Sequence, residues 1–114
     1  MQSTQLTELA DELLEQARAA HSGRAAHTLV VGHEHRLKQL VLALAAGHRL
    51  AEHDNPGEAT VQVLTGKVTL QAGEETWSGA AGDHLVIPAA KHDLNAEEDA
   101  VVLLTIVAGR LREE

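Results

Sequence analysis

The chain has 114 residues, 44% of them hydrophobic and none of them cysteine, enough for one domain with a core that needs no staple, and without disulfide, thiolate or zinc-finger chemistry. Nine Lys and Arg against 17 Asp and Glu leave a net charge of −8, which repels phosphate backbones and anionic headgroups. One Trp with no Phe or Tyr leaves little on which bases could stack. The longest apolar run, Leu40 to Ala46, is far shorter than the ~20 residues that cross a bilayer. The chain starts with polar residues and not with a basic and apolar leader. A cytoplasmic protein with no nucleic-acid or membrane partner is therefore expected.

In chain order, Leu6, Leu9, Leu13, Ala17 and Ala20 recur at helical spacing among acidic residues and Gln. They predict one amphipathic helix between Ser3 and Ala20, with Ser3 or Thr4 as N-cap and Gly23 as the stop. Short β-branched runs then follow: His27 to Val31, Leu37 to Ala46, Thr60 to Leu64, Lys67 to Gln71, Thr76 to Ser78, His84 to Ile87 and Ala100 to Val107. Closely spaced short strands predict a sandwich or barrel. Thr65-Gly66 reads as a tight hairpin, Gly73-Glu74 as another turn, Gly82-Asp83 as the start of a strand, and Glu97 to Asp99 as the separator before the last strand. Pro88 should end a strand, having no donor for a central ladder. Alternation puts Ala59, Val61 and Val63 on one wholly apolar face, with Thr60, Gln62 and Leu64 on the other.

Eight histidines are the main chemical resource. His21 falls near the helix end, where a partly protonated imidazole suits the dipole, and His27 begins a strand. His33 and His35 flank Glu34 and could face the same way, but Arg36 to Lys38 follow and no carboxylate lies on the matching face. His48 is five residues before His53 and so belongs to the opposite strand face. His84 reads as a half-buried strand residue, Asp93 as diverging from His92, and Trp77 as a core or interface anchor. No nucleophile elbow, phosphate loop or dinucleotide fingerprint is present.

The stretch from Gly47 through His53, Asn55 and Ala59 to Gly66 resembles the first conserved motif of the cupin family of small β-barrels. Gly82-Asp83, Val86-Ile87-Pro88 and His92 resemble the second, in the right order. The resemblance implies an all-β fold, a cupin-like antiparallel β-barrel (jelly roll) with one N-terminal α-helix. The helix would occupy residues 1–22 and a single barrel domain residues 23–114. It also implies a homodimer, and the run Leu40 to Ala46, read as a strand buried on both faces, points the same way.

A metal-binding cupin carries His-x-His followed by Glu, with a further His from the second motif. Here the second His position holds Asn55, the Glu position holds Ala59 with Glu58 one residue off, and the second-motif Gly reads Ala90 with His92 one residue early. His53, Asn55 and His92 remain, an incomplete set for a divalent Zn, Fe, Ni or Mn ion. The same three residues would serve as polar groups in a small-molecule pocket at the barrel mouth. The leading expectation is a small-molecule binding or sensing cupin for an apolar or weakly acidic ligand. The alternative is a metal-dependent enzyme of dioxygenase or isomerase type on His53 and His92. A metal-free epimerase with either imidazole as base comes third, because no acid partner is evident.

Overall fold

The computed structural model describes residues 1–30, 35–53 and 57–108, apart from the side chains of His53 and Ala108. One helix, α1 (Leu6–Ala19), precedes nine strands: β1 (Arg24–Val30), β2 (Leu37–Leu44), β3 (Arg49–His53), β4 (Gly57–Thr65), β5 (Lys67–Ala72), β6 (Glu75–Ala80), β7 (His84–Val86), β8 (His92–Ala96) and β9 (Ala100–Ala108). They form two antiparallel sheets, one ordered β1-β2-β9-β4-β7 and the other β3-β8-β5-β6. The fold is the expected all-β barrel behind one helix.

Alternation builds the space between the sheets. Leu42, Leu44, Ala59, Val61, Val63, Ala100 and Val102 of the wider sheet meet Val68, Leu70, Ala72, Leu94 and Ala96 of the narrower one in a single core. The face of β4 chosen from its alternation, Ala59, Val61 and Val63, is the buried one. On the outer side of the wider sheet, Val41, Ala43 and Val101 pack with Ala10, Leu13, Leu14 and Ala17 of α1. The apolar run in β2 is thus buried on both faces as expected, but its second cover is the chain's own helix. That run gives no argument for a partner subunit.

Several local expectations are corrected. The helix is capped by Gln5 and not by Ser3 or Thr4: the Gln5 Oε1 accepts from the Thr7 N–H at 2.8 Å and the Glu8 N–H at 3.4 Å. It starts at Leu6, a side chain packed beneath it, so packing sets the first turn in place of the commoner cap residue. Gly23 does not stop the helix, which ends at Ala19. It turns the chain into β1 at φ +71°, where a Cβ would meet the His48 ring. Thr65-Gly66 is not a hairpin, because β4 and β5 belong to different sheets. It is the corner at which the chain crosses between them. Gly73-Glu74 is a true two-residue hairpin joining β5 and β6, with Ala72 opposite Glu75 and φ +61° at Gly73. Two strands were not foreseen, β3 and β8, and both border the interior.

One polar cluster ties the layers together. Asp99, between β8 and β9, accepts the Ala46 N–H at 2.8 Å on one oxygen and the Arg18 Nε–H at 2.7 Å on the other. It therefore joins the helix end to the loop after β2. The Ala46 amide first, then the Arg18 guanidinium, hold its carboxyl below the usual range. A depressed carboxyl contributes stability above its unfolded pKa, about 3.9, and loses it as pH falls through the lower folded value. Asp99→Ala should cost about 1 kcal/mol at neutral pH, a modest figure because the pair is solvent-exposed. The difference from the parent in urea denaturation should hold down to about pH 4 and vanish below it.

Candidate functional site

His92 is the one buried polar or charged residue among those described, 5% exposed. The sequence H-D-L-N-A along β8 alternates, so His92, Leu94 and Ala96 face inward while Asp93 and Asn95 face away. The outward pair is mutually engaged: the Asn95 amide donates to Asp93 at 3.2 Å, and Arg49 stands 3.9 Å from the same carboxylate. Asp93 thus diverges from the imidazole, as expected. His92 Nδ1 lies 3.1 Å from the carbonyl oxygen of Ala90. A carbonyl only accepts, so Nδ1 carries the proton, and in the neutral ring Nε2 holds the lone pair.

Around His92 the interior is apolar, with Leu50, Leu70, Ile87, Leu94 and Leu104 enclosing about 20 Å³. Two larger spaces adjoin that chamber. Through Leu70 it borders a cavity of about 220 Å³ lined by Ala72, Glu75, Thr76, Trp77, Leu85 and Pro88. Through Leu50 and Leu104 it borders a lateral cleft of about 540 Å³ whose walls include Leu40, Leu42 and Ile106. Trp77, expected as an anchor, packs against the core while lining the first cavity. Its ring lies over Gly79, where a Cβ would collide with it.

The candidates named from sequence are distributed unevenly. His53 pairs with His92 across β3 and β8 in backbone register. Asn55 lies outside the described residues, as do His33 and Glu34. Ala59 is 7% exposed within the core, while Glu58 is exposed on the other face, as alternation requires. His21, His27, His35, His48 and His84 are all exposed, so His84 is not half-buried. His48 lies against Gly23, away from the interior. Leu50, Leu70 and Trp77, which shape the space beside His92, were not singled out as ligand-lining residues; only inward parity marks them.

The metal pattern can be tested against these positions. A methyl group stands where the carboxylate donor would be, and among the described residues no three His, Cys, Asp or Glu side chains converge. The described donors do not make up a metal centre.

No family model matches the chain, and no curated protein does. Solved structures do. A conserved protein of unknown function from Streptococcus pyogenes is 30% identical, with 81% of this chain and 80% of that one covered and a TM-score of 0.72. A cupin 2 conserved barrel domain protein from Leptotrichia buccalis is 27% identical, with 77% of this chain and 42% of that one covered and a TM-score of 0.70. The chain belongs to the cupin superfamily. A salicylate 1,2-dioxygenase from Pseudaminobacter salicylatoxidans shares the fold at 22% identity, with 88% of this cupin and 33% of that chain covered and a TM-score of 0.74. Among the described residues of this cupin, no helix is long and apolar enough to cross a membrane.

Proposed function

We propose that this cupin binds a small apolar or weakly acidic molecule inside the barrel, with His92 as its polar anchor and His53 and Asn55 completing the mouth. The observation that carries this reading is the buried imidazole of His92, with its tautomer set by the Ala90 carbonyl, the one buried polar side chain among the described residues and surrounded there by apolar ones. Ligand pockets of this kind combine apolar walls with a few placed polar groups. The 220 Å³ cavity lined by Leu70, Ala72 and Trp77 has room for about one aromatic ring. His92 lines the small chamber on the other side of Leu70, so in this reading the ligand's polar end reaches past Leu70 to the imidazole. A cytoplasmic homodimer is part of the same proposal. Val86, 70% exposed on the sheet-edge strand β7, supports association at that edge.

The lone Trp of the chain lines the cavity and supplies the readout. Benzoate should change Trp77 fluorescence in a saturable way, and His92→Leu should weaken its binding about tenfold, the loss of one buried hydrogen bond. No saturable change in the parent protein, or equal affinity in His92→Leu, would remove the reading.

A second reading, a metal-dependent dioxygenase or isomerase, is favoured by one observation: His53 stands opposite His92 in the ladder. Its measure is the metal content of untagged protein purified without chelators, where a near-stoichiometric ion supports it.

A further inference from the structure

We propose that the lateral cleft is a second binding site, for an organic anion with an extended apolar body such as a medium-chain carboxylate. The inference goes beyond the interior site, since His92 does not line this cleft. The cleft exists because the sheets are unequal: five strands face four. Edge strand β1 and the inner side of β2 extend past β3 with little cover, and Leu40, Leu50, Leu104 and Ile106 are left only partly buried. An apolar wall of this kind favours a hydrocarbon guest.

Charge then selects among such guests. Among the described residues Arg24 and Lys38 line the cleft and no Asp or Glu does, although the whole chain carries −8. Neither cation has an ion-pair partner among the described residues. In register Arg24 lies opposite Leu44, and Lys38 opposite Ile106. The two cations therefore stand about six residues apart along β2, on the order of 20 Å. The Arg24 end also presents the Ser22 hydroxyl, another lining group. A guanidinium with a neighbouring hydroxyl matches a carboxylate better than a lone ammonium does. The head group is thus placed at Arg24 and Ser22, with the tail running along the leucines toward Lys38.

A neutral hydrocarbon would cover the wall but leave the guanidinium without a partner. A small inorganic anion would do the reverse. An amphiphile satisfies both the guanidinium and the apolar wall, and a medium chain suits the cleft volume of about 540 Å³.

The test is displacement of anilinonaphthalene sulfonate from the full chain by decanoate, with decanol as the uncharged comparison and circular dichroism as the fold control. Decanoate should displace the dye more effectively than decanol, and added salt should narrow that gap. Arg24→Gln should weaken decanoate about tenfold and Lys38→Gln about threefold or less, the difference between a bidentate contact and a distant charge. Ala26→Glu, an exposed position in the cleft wall, should abolish binding without touching the core. His92→Leu should leave decanoate affinity unchanged. That variant separates the two sites, because the interior reading fails on benzoate and this one on decanoate. Equal displacement by decanol and decanoate, or full affinity in Arg24→Gln or Ala26→Glu, overturns the proposal. So does a sedimenting dimer that binds no dye until Ala26→Glu dissociates it, since a second copy would then fill the cleft.

Discussion

Gly66→Ala should lower the stability of this cupin by about 3–4 kcal/mol, near the upper end for a single methyl group added to a small domain. Two separate penalties meet at this residue. Its φ of +78° lies where a side chain crowds its own backbone, at a cost of about 1–2 kcal/mol. The added Cβ would also fall 2.0 Å from the carbonyl oxygen of Asp99 and 2.9 Å from the Ala100 Cα. Both are backbone atoms on the segment that enters β9, and they cannot rotate aside as a flexible side chain would. Gly73 is the matching control, with φ +61° and nothing within 4 Å of its built Cβ. Gly73→Ala should therefore pay only the conformational penalty, about 1 kcal/mol. Urea denaturation of both variants measures the difference as a shift in midpoint at unchanged slope. Equal shifts would mean that the crossing at Gly66 is not tightly packed against the β8–β9 turn.

The same corner shows where sequence patterns were readable and where they were not. Thr65-Gly66 between two apolar runs looks alike as a hairpin and as a sheet-to-sheet crossing, because both need a glycine at positive φ flanked by strand residues. What separates them is the partner of each strand, a long-range property: β4 pairs with β7 and β9, whereas β5 pairs with β6 and β8. Alternation was sufficient in β4, where every inward residue from Ala59 to Val63 is apolar. It was less visible in β8, where the first inward position holds His92 and the outward ones hold Asp93 and Asn95. A polar residue at an inward position interrupts the period at the place where the interior acquires chemistry. The double burial of β2 was legible from its unbroken apolar run, but a run of this kind does not say what covers it. The amphipathic face of α1, equally visible, supplies the cover. The candidate site was legible through its histidines and their family resemblance. Its apolar walls and lateral cleft were not, because they depend on how far one sheet extends past the other.

Ala59→Glu is the second substitution expected to act strongly, and it tests how the first motif maps onto the barrel. Ala59 points into the core at 7% exposure, and the chamber walled by Ile87 and His92 encloses only about 20 Å³. The Ile87 N–H donates to the Ala59 carbonyl at 2.9 Å, which ties this segment to the residues just before Pro88. A glutamate placed here adds bulk at a buried core position and carries a carboxyl group into apolar surroundings. The combined cost should be about 3 kcal/mol or more. If the motif has been aligned correctly, the new carboxylate and the Nε2 of His92 approach a common point, and a divalent cation would compensate the buried charge. Zinc should then raise the thermal midpoint of Ala59→Glu in a concentration-dependent way, as a ligand of the folded state does. It should have no such effect on Ala59→Glu combined with His92→Leu. Adding Asn55→His to Ala59→Glu should strengthen the zinc response further, since each convergent donor adds to the coordination set. A destabilised Ala59→Glu protein that zinc leaves unchanged, with its fold intact by circular dichroism, would place the motif's carboxylate position elsewhere on β4. His92 would then stand as an anchor for organic ligands alone.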